Sequence, residues 1–146
     1  MKAFFGAIVL AALAASPAAA ADALADGSYE VRYRLELPHV EARGEETATV
    51  CLSGAGGASA FPVLSANNPL AHCPAQNIRR DGDAVLFEIV CPGGNSAKAQ
   101  GLFDLRKDGF EGSIAMNMGG KNMTMTEVQR GKRVGDCAAT AQPVTH

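Results

Sequence analysis

Apolar and polar side chains alternate along the first regular segment of the chain. In SYEVRYRLELP, residues 28–38, every second position is apolar: Tyr29, Val31, Tyr33, Leu35 and Leu37. Charged residues occupy most of the positions between them. A period of two is typical of a β-strand with one face in a core and the other in water. The segment therefore predicts a half-buried strand.

Further extended segments follow, separated by turn sequences. ETATVCL predicts a second strand, and the long loop SGAGGASAFPVLSANNPLAHCPA follows it. Asp81-Gly82, Lys107-Asp108-Gly109 and Gly119-Gly120 each join two extended runs, and glycine accepts the positive φ that tight turns need. The sequence thus predicts an all-β fold. We expect an antiparallel meander of about seven strands that forms a small barrel or a curled sheet, with one long loop.

The N-terminal segment has the features of an export signal. MKAFFGAIVLAALAASPAAA contains one lysine, then an apolar run, and ends in the Ala-x-Ala form that signal peptidase accepts. The run is shorter than the roughly 20 residues of a bilayer span, and no later stretch is apolar enough to cross a membrane. We predict a cleaved signal peptide over residues 1–20, a single β domain over 21–146 and a disordered tail over 138–146.

Four cysteines remain after the signal: Cys51, Cys73, Cys91 and Cys137. An even number in an exported chain predicts two disulfides, and the spacings contain no C-x-x-C for zinc or redox chemistry. If the second and third strands are neighbours, Cys51 pairs with Cys73 and Cys91 with Cys137, which is the preferred interpretation. The alternative pairs Cys73 with Cys91, at the base of one hairpin, and Cys51 with Cys137.

The order of several short motifs resembles a known family. DGSYEV after the signal, a cysteine at the end of the second strand, FEIVC, GFEGSIAMNM and the closing GKRVGDC are similar to domain-of-unknown-function family 3617. Its members are small exported proteins of Gram-negative bacteria. The resemblance implies a periplasmic location and an antiparallel β domain, and it brings no catalytic residues to transfer.

The net charge, the histidines and the glycine-rich loop argue against several classes of function. The formal net charge is −2, so the chain lacks the basic balance of a nucleic-acid-binding protein. His39, His72 and His146 are not accompanied by a G-x-S-x-G elbow, and the glycine-rich SGAGGAS lacks a following Lys-Ser/Thr. We therefore expect no catalytic residues and no cofactor.

The most specific chemical pattern is SIAMNMGGKNMTM, with four of the five methionines. Turns of two or four residues around Gly119-Gly120 both place Met116, Met118, Met123 and Met125 on one face. Core packing is the preferred interpretation, because thioethers fill irregular gaps well. The alternative is a Cu(I) site, because converging thioethers select soft metals.

These observations predict a non-enzymatic exported β domain that acts by binding. Its partner is expected to be another envelope protein or a small ligand. A barrel that leaves an apolar cavity would instead predict a carrier of a small apolar molecule.

Overall fold

The computed structural model describes residues 24–41, 44–53, 61–93, 97–120 and 123–138. The predicted signal peptide and all but Ala138 of the predicted tail lie outside these residues. Within these residues lie seven strands: β1 (Gly27–Glu36), β2 (Glu46–Leu52), β3 (Ala75–Asp81), β4 (Ala84–Val90), β5 (Lys98–Arg106), β6 (Gly109–Asn117) and β7 (Thr124–Gly135). A 3₁₀ helix, Pro69–His72, precedes β3. The predicted all-β class and strand number are confirmed.

All seven strands form one antiparallel sheet in the order β2-β1-β7-β6-β5-β4-β3. β1 pairs with β2, each strand from β3 to β6 pairs with the strand that follows it in sequence, and β7 also pairs with β1. In a closed barrel of seven strands β2 would also pair with β3, and here these two strands do not pair. The sheet is therefore open, with β2 and β3 at its two edges.

This strand order determines the disulfides. The bonds are Cys51–Cys137 and Cys73–Cys91. The prediction of two disulfides is confirmed, but the preferred pairing was wrong and the alternative pairing is the one observed. The error came from taking β2 and β3 as neighbours, because Cys51 and Cys73 actually lie at opposite edges of the sheet. Cys51–Cys137 links β2 to the end of β7 across the start of β1.

The hairpin turns lie where the turn sequences predict them. Asp81 pairs with Ala84, and Arg106 pairs with Gly109, so both turns contain two residues. Gly82 has a φ of 60°, as a tight hairpin turn requires.

Three pairs of aromatic residues and glycines build the centre of the core. Each ring lies opposite a glycine of the next strand: Phe87 opposite Gly101, Phe103 opposite Gly112, and Phe110 opposite Gly131. A Cβ on any of these glycines would overlap the facing ring. Because glycine has no side chain, each of these three positions leaves room for the facing ring. We call the face of the sheet that carries these rings the inner face.

Residues 61–74, which we call the strap, cover the inner face. Phe61 stacks on Phe103 with ring centroids 4.3 Å apart and meets Phe110 edge-on at 4.8 Å. Val63 and Leu70 of the strap are also buried in this core. The strap belongs to the long connection between β2 and β3. Its apolar side chains complete the core on the inner face of the open sheet.

Candidate functional site

The methionine hairpin joins β6 to β7. Met116 pairs with Met125, and the Met118 N–H donates to the Met123 carbonyl at 2.9 Å. The loop between Met118 and Met123 therefore contains four residues. Met116 shares the inner face with buried Ile114, and the alternation of β6 and β7 places the other three methionines on that face too.

The four methionines differ in their surroundings. Met116 is 2% exposed, and its Sδ accepts a hydrogen bond from Asn68 Nδ2 at 3.1 Å. Met118 and Met125 are half-buried at the border of the core. Met123 is 54% exposed, and its side chain lies against Gly120. Core packing thus describes Met116 well, but not Met123.

Two polar side chains of β7, Glu127 and Gln129, are buried on the same inner face, at 0% and 1% exposure. The two carboxylate oxygens of Glu127 accept the backbone N–H groups of Leu64 and Ser65, each at 2.8 Å. Gln129 Nε2 donates to the Pro62 carbonyl at 2.7 Å and to Glu127 at 2.6 Å. These bonds hold the strap to the sheet.

The strap is tied to the methionine hairpin by Asn68. Its Oδ1 caps the 3₁₀ helix by accepting the Leu70 N–H at 3.0 Å. Its Nδ2 donates to Ser65 Oγ at 2.9 Å, in addition to the bond to Met116. Strap, helix and hairpin therefore share one buried polar side chain.

The burial of Glu127 and Gln129 was not predicted. A signal was present, because the alternation that places Met123 and Met125 inward continues to both residues. A polar residue at an inward position of a strand needs a buried partner. That partner is the backbone of a segment more than sixty residues away in sequence.

The opposite, outer face of the sheet carries apolar side chains that nothing covers within the described residues. Leu86 and Leu102 are cross-strand partners and are 41% and 50% exposed. Leu102 is followed across the sheet by Ser113 and then by half-buried Val128. This row lies across the middle of the outer face.

Two adjoining grooves, of about 330 and 510 Å³, lie on this face. They share Glu88, Gln100 and Ala115, and together we call them the outer trough. Ser113 and Ala115 of β6 are small, so this strand forms the floor of the trough. The charged residues of its lining are Arg79, Glu88 and Lys98. Beside the trough, Arg130 donates to Glu111 at 2.8 Å and lowers the pKa of that carboxyl.

Two of the three histidines fall within the described residues. His39 follows β1 with a φ of 62°, and His72 ends the 3₁₀ helix; both are exposed. His146 lies outside the described residues. Within the part of the chain that the structure describes, no three His, Cys, Asp or Glu side chains form a group that could hold a metal ion. Nor is any helix there long and apolar enough to cross a membrane.

Comparison with family models relates this architecture to other proteins. The family described as "Protein of unknown function (DUF3617)" matches residues 24–137. The chain belongs to this family. The matched range includes every strand of the sheet, the strap and the cysteines of both disulfides. No curated protein and no solved structure matches the chain.

Proposed function

We propose that this DUF3617 protein is an exported, non-enzymatic accessory domain that binds another protein of the cell envelope through the outer trough. The exposed, cross-strand pair of Leu86 and Leu102 is the observation that carries this proposal. Neighbouring apolar side chains exposed together on the face of a sheet are typical of interaction surfaces.

The shape of the trough favours a polypeptide over a small molecule. Small-molecule sites bury about 70–90% of their ligand. The trough lies on an open sheet face and does not enclose a ligand in this way. A space of about 100 Å³ between the strap and β4 is below the roughly 300 Å³ of the smallest typical ligand sites. In the trough, apolar Leu86 and Leu102 lie beside polar Glu88 and Gln100, and protein interfaces use such a mixture of apolar and polar contacts.

Export agrees with the covalent structure. The N-terminal sequence has the form of a signal peptide, and two disulfides are stable in the periplasm, where thiols are oxidised. The buried carboxylate of Glu127 is engaged with the strap backbone, so its role in this proposal is structural rather than catalytic.

Photo-crosslinking in the native host tests the proposal. Leu102 is replaced by a photoreactive phenylalanine analogue, with Val134 as the matched control because it is 59% exposed and does not line the trough. We expect one envelope protein to be crosslinked from position 102 and not from 134. The purified partner should bind the purified domain, and Leu86→Asp should weaken that binding at least about tenfold.

Three results would contradict the proposal. One is the absence of any adduct from position 102, and another is the same set of adducts from both positions. The third is a small molecule retained in native mass spectra of the protein purified from its own periplasm and displaced by Leu86→Asp, which would favour the carrier alternative.

A further inference from the structure

We propose that Met118, Met123 and Met125 form a site for one Cu(I) ion at the end of the β6–β7 hairpin. The three side chains belong to the inner face, and the site adjoins one end of the outer trough, whose lining includes Met125. Met116 is excluded from the ligand set and acts as a core residue beside the site.

The hairpin register brings the three thioethers together. Cβ atoms of directly opposite residues in an antiparallel pair are about 4.5–5.5 Å apart, and diagonal neighbours are about 7–8 Å apart. Met118 lies opposite Met123 and diagonal to Met125. A methionine sulfur lies two bonds beyond Cβ on a flexible chain, so three such sulfurs can meet at one ion above the hairpin end.

Burial separates the ligands from the core residue. Met116 is enclosed at 2% exposure, and its sulfur is engaged with Asn68. Met118 and Met125 are half-buried at the border of the core, so neither is enclosed as Met116 is. Met123 is 54% exposed, which gives an ion access from solvent.

The donor chemistry selects a soft, monovalent ion. Thioethers carry no charge and bind Cu(I), whereas Zn²⁺ and harder ions need imidazole, thiolate or carboxylate groups. All four cysteines are in disulfides, so none supplies a thiolate. Thioethers remain available as soft donors in a compartment that oxidises thiols.

Metal titration with matched variants tests this site. The purified domain, with its disulfides intact, is titrated with Cu(I) kept reduced by ascorbate, against the chromophoric chelator bicinchoninate. We expect one Cu(I) per chain. Met123→Leu and Met125→Leu should each weaken uptake at least tenfold, while Met116→Leu, the control on the same face, should change it less than twofold.

Silver provides a redox-inert probe of the same ligands. In protein with ¹³C-labelled methionine methyl groups, Ag(I) should shift the methyl resonances of Met118, Met123 and Met125 and leave that of Met116 in place. Circular dichroism of each variant shows whether it is folded before metal is added.

Several results would overturn the site. These are no competition with bicinchoninate, uptake that persists when all three ligands are leucine, or equal losses in Met116→Leu and Met123→Leu. Loss of uptake in His39→Ala would overturn the all-thioether ligand set, since β1 ends opposite Thr126, which places His39 at the same end of the sheet.

Discussion

Replacing Glu127 with glutamine should weaken the attachment of the strap to the sheet. The carboxylate accepts the Leu64 and Ser65 N–H groups through separate oxygens. Glutamine has the same shape but only one acceptor oxygen, so one of these buried N–H groups would face an NH₂ group. Hydrogen bonds to charged groups contribute about 1.5–3 kcal/mol, and an unpaired buried donor costs about 1–3 kcal/mol. Glutamine also removes the desolvation cost of a buried charge, and this gain offsets part of the lost hydrogen-bond energy. We therefore expect destabilisation of about 2–4 kcal/mol.

Urea unfolding followed by circular dichroism measures this change, because the chain has no tryptophan to report by fluorescence. Hydrogen exchange gives a local measurement: the amides of Leu64 and Ser65 should lose protection more than those of β5. Glu111→Gln is the matched control. It removes a carboxylate from the same sheet, but from an exposed pair with Arg130, so the unfolding midpoint should not change. An unchanged midpoint and protected strap amides in Glu127→Gln would refute the reasoning.

Two further predictions concern the framework of the fold. In the chain-entropy model, replacing both cysteines of Cys51–Cys137 by alanine should cost about 4–5 kcal/mol, and doing so for Cys73–Cys91 about 3 kcal/mol. This order follows from the sequence separations of 86 and 18 residues between the paired cysteines. Non-reducing urea unfolding measures both losses, and a larger loss of stability for Cys73–Cys91 would contradict the prediction. Gly112→Ala should cost at least about 1–3 kcal/mol, because its Cβ would overlap the Leu102 carbonyl oxygen. Gly135→Ala, with nothing within 4 Å, is the control, and equal midpoints for the two variants would argue against this packing.

Local sequence was sufficient to predict the strands and most of their turns. The alternation in SYEVRYRLELP and the Asp81-Gly82 turn depend only on neighbouring residues, and both predictions are confirmed. The methionines could be assigned to one face for the same reason, because side-chain direction in a strand follows from its period. Their division into one core residue and three more accessible ones could not be predicted, since it depends on where Asn68 of the strap lies.

The class of fold, the strand number and the presence of two disulfides can be predicted from the sequence alone. Which strands are neighbours, and therefore which cysteines pair, follows from the folded chain. Closing β7 on β1 while leaving β2 and β3 apart is a choice between long-range contacts, and no local period encodes it. The same holds for Glu127: its inward position is visible in the alternation, but its partners belong to a strap that only the folded chain brings to it.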